Sequence, residues 1–203
     1  LVVVSYYNKP TPAGLHAHFR AVAEAAGRKP VIVYNVPGRT GLNLAPSVMQ
    51  QLWEIENIRA VKESSGNLAQ IGEICRTLPE GKTVLSGDDA LALASISVGA
   101  EGLVSVAANV LPRRFRALVD AARTGRRQDA MAMHRELLQF MDALFVESNP
   151  VPLKTALKFC GLTGDRLRLP LVSAARATKE LMESVLAALG CGYGYGRCDE
   201  LLQ

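Results

Sequence analysis

The chain has 203 residues, of which 49% are hydrophobic, 21% charged and 5% aromatic, and it carries a net charge of +4. This is an ordinary globular composition, sufficient for a sizeable core in one domain or in one domain with an appendage. The basic residues are scattered, with Arg113-Arg114 and Arg126-Arg127 the tight pairs, so they do not form the stripe that a nucleic-acid partner requires. Cys75, Cys160, Cys191 and Cys198 include no C-x-x-C pair. That spacing indicates neither a zinc site nor a disulfide framework and fits a reducing, cytoplasmic location.

The chain opens on Leu1-Val2-Val3-Val4, a buried-looking strand already in full course and without a secretory or transit pattern, which leads us to expect a processed, truncated or incomplete chain. Residues 2–7 are the first predicted strand. Thr11-Pro12 then offers a helix N-cap with proline in the first turn, and Leu15, Phe19, Val22 and Ala26 follow at helical spacing. A second apolar run, residues 31–36, stops at Pro37-Gly38-Arg39-Thr40-Gly41, and Val48, Leu52 and Ile55 mark another helix.

A third strand begins at Ile58 and leads through Ala60 and Val61 to Lys62, before the loop Ser64-Ser65-Gly66-Asn67. Asn67 caps a helix that turns Leu68, Ile71, Ile74, Cys75 and Leu78 inward. Residues 83–86 form a fourth strand, closed by Gly87-Asp88-Asp89, and residues 103–107 a fifth, followed by a helix marked by Phe115, Leu118 and Ala122. The window 90–111 is nearly uncharged, but Gly99, Glu101 and Gly102 interrupt it, so it reads as helix, turn and strand rather than as a membrane span.

Five βα units with continuously apolar strands predict a parallel sheet covered by helices. No G-x-G-x-x-G turn follows any strand, and polar residues close every strand, which suits a barrel with its chemistry at the C-terminal ends of the strands. The expected fold class is therefore α/β, a partial TIM (β/α)8 barrel over residues 1–124. A helical C-terminal domain follows over 125–190, and 191–203 form a glycine-rich flexible tail containing a C-x6-C spacing.

Lys62 stands alone at a strand mouth, where a reactive amine is most useful. An amine with an ordinary value near 10.4 attacks carbonyls only as its scarce free base, so a Schiff-base lysine needs desolvation or polar neighbours; a lysine that merely snorkels to solvent is the competing reading. By residue type alone Tyr34 and Tyr7 read equally as core aromatics, Arg39 as a solvated loop charge, and Val104 carries no signal. Asp88 and Asp89 suggest a helix cap before they suggest a metal.

The run Tyr34-Asn35-Val36-Pro37-Gly38-Arg39-Thr40-Gly41 occurs with Val61-Lys62-Glu63, Tyr6-Tyr7-Asn8, Ser86-Gly87-Asp88-Asp89 and Asn149-Pro150-Val151-Pro152-Leu153-Lys154. Together, and in this order over about residues 2–190, these motifs closely resemble the dihydrodipicolinate synthase family of the N-acetylneuraminate lyase superfamily. The resemblance implies a TIM barrel with a C-terminal helical domain, a cytoplasmic homo-oligomer built as a dimer of dimers, and no cofactor beyond a covalent Schiff base. In lysine (diaminopimelate) biosynthesis, that base activates pyruvate as an enamine, which attacks aspartate semialdehyde to give 4-hydroxy-tetrahydrodipicolinate.

By the same matching, Lys62 is the Schiff-base former, Tyr34 the proton-handling hydroxyl, and Tyr7 the tyrosine that reaches a neighbouring subunit's site. Arg39 matches the carboxylate clamp and Val104 the residue whose backbone faces pyruvate; no metal is implied. The family's first three βα units, with a Thr-Thr turn that links the tyrosines, are not found in the chain. We therefore expect no more than trace synthase turnover from it alone. The alternatives are a sialate or sugar-acid aldolase of the same superfamily and a non-catalytic fragment, and Tyr6 is the one candidate for an inhibitor site.

Overall fold

The structure is a computed structural model that describes residues 1–192. The expected tail lies outside the described residues apart from its first two positions, and so does Cys198. The chain divides into two compact units, Leu1–Val104 and Ser105–Gln203.

The first unit is a five-stranded parallel sheet of β1 (Val2–Val3), β2 (Val31–Asn35), β3 (Ile58–Glu63), β4 (Thr83–Ser86) and β5 (Gly102–Leu103), in the order β1-β2-β3-β4-β5. Each strand lies beside its predecessor and the order never reverses. That is the winding of a TIM-barrel-type fold, whereas a doubly wound sheet changes direction at a switch point. The connections carry α1 (Pro12–Ala26), a single helical turn α2 (Pro37–Thr40), α3 (Pro46–Leu52), α4 (Leu68–Arg76) and α5 (Ala92–Ser97). Thr11 caps α1 by accepting from Gly14 N, and Asn67 caps α4 by accepting from Gln70 N at 3.1 Å.

The core lies between sheet and helices, where Val33, Val61 and Val84 meet Leu15, Phe19, Met49, Leu52, Ile71 and Ile74, all nearly or fully buried. A register shift sets Val31 beside Ile58 but Ile32 beside Ala60, leaving Arg59 as an extra, exposed residue. This bulge resets the alternation, so that Ile58 and Val61 both reach the core although they stand three positions apart. At the strands' N-terminal ends Lys82 Nζ donates to the carbonyls of Ile55, Glu56 and Ile58 at 3.1, 3.0 and 2.6 Å. Burial and the nearby Arg59 push this amine's pKa below its ordinary value.

Two strands differ from expectation. β1 is shorter than the predicted 2–7, although Val4 N still donates to Tyr34 O, because the chain then turns sharply at Tyr7. β5 is Gly102–Leu103 rather than 103–107, since Ala107–Asn109 coil into a 3-10 turn.

In the second unit the described elements are that turn, α6 (Pro112–Arg123), α7 (Arg127–Ala143), α8 (Val151–Phe159) and α9 (Arg176–Ala188). Phe115, Leu118, Leu137, Phe140, Met182 and Leu186 supply its apolar interior. Arg114 ties helices together by donating to Glu136 Oε1 at 2.7 Å and to Leu189 O at 2.9 Å. No helix among the described residues is long and apolar enough to cross a membrane.

Candidate active site at the mouth of the third strand

Side chains alternate across a strand, so the residues that follow the core valines on β2, β3 and β4 decide what the sheet presents on its other face. Tyr34 pairs with Lys62, and Lys62 with Leu85, on the face turned away from α1, α3 and α4. Lys62 Nζ lies 4.0 Å from the centroid of the Tyr34 ring, within cation–π range. Both side chains are half-buried. Sheet pairing runs on past the named strands, with Ser64 N donating to Asn35 O at 2.9 Å and Gly87 N to Glu63 O at 2.8 Å. Ser64 is thereby placed opposite Gly87 and on the Lys62 face.

Gly87 provides the floor under the lysine. A Cβ at that position would stand 2.6 Å from Lys62 Cε and 2.9 Å from Lys62 Cγ, and would collide with Ser64 Oγ. The Ser64 hydroxyl is buried and has no hydrogen-bond partner among the described residues.

On the opposite face, directly behind the tyrosine and the lysine, lies a polar cluster that sequence reasoning missed. Asn35 pairs in register with Glu63, and the two are 0% and 1% exposed. Glu63 Oε1 accepts from Asn35 Nδ2 at 2.9 Å and from Ser65 N at 2.8 Å, while Oε2 accepts from Gln70 Nε2 at 3.0 Å. Asn35 Oδ1 accepts from Leu44 N at 2.9 Å, and Asn43 and Gln70 exchange side-chain hydrogen bonds of 2.8 and 3.1 Å. The signal was available in principle: a carboxylate one residue after Lys62 points to the helix-covered side, where a charge persists only if fully hydrogen-bonded.

The remaining candidates lie on segments that follow strands β1, β2 and β5. Arg39 lies within the α2 turn and is exposed. Val104 N donates to Ser86 O at 2.8 Å, extending β5, and its side chain is half-buried. Tyr7 is 88% exposed, with a φ of +68° inside a γ-turn closed by Asn8 N donating to Tyr6 O. A non-glycine residue in this conformation stores about 1–3 kcal/mol of strain, and a hydrogen bond from Tyr7 N to Thr40 O helps to hold it. Asp88 caps the turn into α5 by accepting from Ala90 N and Leu91 N at 3.0 and 3.2 Å, and Asp89 is buried. Among the described residues no three His, Cys, Asp or Glu side chains converge as metal ligands. A depression of about 1000 Å³ lies at the opposite, N-terminal ends of β2 and β3, where Arg20, Arg28 and Arg59 balance Glu24, Glu54 and Glu56. It is remote from the lysine and selects no ligand charge.

Fold and site together define a barrel-type α/β protein with an amine and a phenol paired at the C-terminal mouth of its sheet. The profile of the Dihydrodipicolinate synthetase family matches residues 1–189, and the chain belongs to that family. It is 45% identical over 189 residues to a 4-hydroxy-tetrahydrodipicolinate synthase of Cyanothece sp., covering 93% of this chain and 64% of that protein. The crystal structure of dihydrodipicolinate synthase from Aquifex aeolicus superposes with a TM-score of 0.91 at 41% identity, over 94% of this chain and 65% of that one. The chloride-inhibited dihydrodipicolinate synthase from Acinetobacter baumannii, complexed with pyruvate, gives 0.89 at 37% identity, over 93% and 65%. The chain thus spans slightly less than two thirds of the length of these relatives.

Proposed function

We propose that the chain carries the lysine-bearing part of a site that condenses pyruvate with L-aspartate 4-semialdehyde to give 4-hydroxy-tetrahydrodipicolinate. The observation that carries this reading is the in-register pair Tyr34–Lys62, with the amine 4.0 Å from the phenol ring at a strand mouth. In the reaction the free amine of Lys62 adds to the C2 carbonyl of pyruvate, and the carbinolamine loses water to give the imine. Loss of a C3 proton gives the enamine, whose C3 attacks the aldehyde carbon of the second substrate; that substrate's amino group then adds to C2, closing the ring and displacing the Lys62 amine. Tyr34 supplies and recovers the proton of the carbinolamine hydroxyl. Val104 presents backbone to pyruvate, Arg39 grips the aldehyde's carboxylate with two parallel N–H bonds, and Tyr7 serves the site of a neighbouring subunit.

The sheet would be one arc of a TIM barrel over residues 1–124, joined to a helical domain over 125–190. The protein would work as a cytoplasmic homo-oligomer, with the Schiff base itself in place of any cofactor. Kinship to a pyruvate complex supports the first substrate, and the family's curated members support the second.

Borohydride reduction in the presence of pyruvate, performed on the chain extended to the length of its relatives and followed by peptide mapping, tests the assignment. A stable adduct on Lys62 is expected, whereas an adduct on Lys9 or Lys154 instead would refute it. In the same extended chain Arg39→Ala should weaken use of the aldehyde far more than adduct formation, and equal loss of both steps would assign Arg39 to the first substrate or to the fold.

A further inference from the structure

Glu63 is a buried carboxylate that the proposed chemistry does not use. Its partners are three amide N–H donors: Asn35 Nδ2 on β2, Ser65 N just beyond β3, and Gln70 Nε2 on α4. Only a group that accepts at both of its oxygens satisfies all three at once. The clamp also lies one residue beyond the reacting pair on each strand, since Tyr34 pairs with Lys62 and Asn35 with Glu63. Through Asn35 Oδ1 and Gln70 it reaches Leu44 N, Leu44 O and Asn43. It therefore fixes the ends of both loops that leave this mouth, the one bearing Arg39 and the one bearing Ser64.

We propose that Glu63 is a positioning residue: from the far face of the sheet it sets the separation of the Lys62 amine and the Tyr34 ring, and the placement of the Arg39 loop. The inference rests on Lys62 as the Schiff-base lysine. A carboxylate suits this role better than an apolar side chain, because the backbone and side-chain donors around it would otherwise be buried without acceptors. It also suits it better than an amide. Glu63→Gln keeps the volume but turns one acceptor into an NH2 facing an N–H donor, and Gln70 cannot turn its own oxygen inward without releasing Asn43 and Leu44.

The test uses the full chain and two probes of Lys62: pyruvate trapped by borohydride, and trace acetic anhydride, which acylates amines without needing a site. In Glu63→Gln, trapping at saturating pyruvate should fall about tenfold with its half-saturating concentration unchanged, the scale of one lost hydrogen bond to a charged group. Acylation of Lys62 should instead rise, as the side chain leaves the Tyr34 ring, while acylation of Lys82 at the other end of the strands stays constant. Unchanged acylation of Lys62 or an equal rise at Lys82 would each overturn the proposal. If no pyruvate adduct forms even in the chain extended to the length of its relatives, the Schiff-base reading fails and the acylation ratio alone decides the positioning role. Should Glu63→Gln not fold, Gln70→Met removes one donor and leaves the other two, and should move the same ratio in the same direction.

Discussion

Substituting Gly87 by alanine perturbs the candidate site through one methyl group. Gly87 does not have a positive φ, so the alanine brings no backbone strain of its own. Its Cβ would be 2.6 Å from Lys62 Cε and would strike Ser64 Oγ as well, so both side chains must move. Overpacking a tight interior costs about 1–3 kcal/mol. Here both obstructing groups turn about single bonds, which puts the loss of stability near the lower end, about 1 kcal/mol. The effect on chemistry should be larger, because displacing a reacting atom by about an ångström costs on the order of 10²-fold in rate. Urea denaturation and the rate of borohydride-trapped adduct formation measure the two effects separately. Adding Ser64→Gly should recover part of the stability but little of the rate, since the conflict with Lys62 remains. A Gly87→Ala chain that traps pyruvate within about twofold of the parent rate would refute the reasoning, because the lysine would then not depend on this floor.

Three further outcomes follow from local physics. Asn67→Ala should destabilise the first unit by about 1 kcal/mol in urea denaturation, through loss of the α4 cap to Gln70 N. Burial, and secondarily Glu101, raise the Cys75 thiol above its ordinary value, so Cys75 should alkylate more slowly than free cysteine at pH 8, and Glu101→Gln should speed it. Because that pKa is raised, the associated stability is fully present below the ordinary thiol value and is lost as pH rises through the folded one. Glu147 is held below the usual carboxylate range, first by the Thr178 hydroxyl and then by Ala175 N–H at 2.9 Å. Its contribution is present above the ordinary glutamate value and lost as pH falls through the lowered one, so Glu147→Gln should flatten the acid limb of a denaturation midpoint against pH.

Much of the architecture is legible in residue types. Apolar runs closed by polar loops mark the strands, and Thr11 and Asn67 announce helix starts because an oxygen three residues before an unsatisfied N–H is a cap wherever the fold places it. The sequence likewise puts Lys62 beside a strand mouth, and the resemblance picks out Tyr34 as its companion. The pairing of the two is a matter of register, which no local pattern contains: parallel strands separated by a helix must be brought side by side before Tyr34 and Lys62 can meet.

The faces of β3 were decided only in three dimensions. Its apolar positions, Ile58, Ala60 and Val61, fit no single alternation, and the choice falls to a bulge at Arg59 that exists only against the neighbouring strand. Once that bulge has turned Val61 into the core, strand geometry sends Lys62 to the open face and Glu63 to the buried one. Glu63 can remain there because Asn35 and Gln70, distant in sequence, arrive with their N–H groups. Residue chemistry by itself determined that an amine and a carboxylate stand next to each other on the chain. Tertiary structure determined which of the two is available to react and which is locked in place, since burial and hydrogen-bond satisfaction depend on neighbours that the chain supplies only after it has folded.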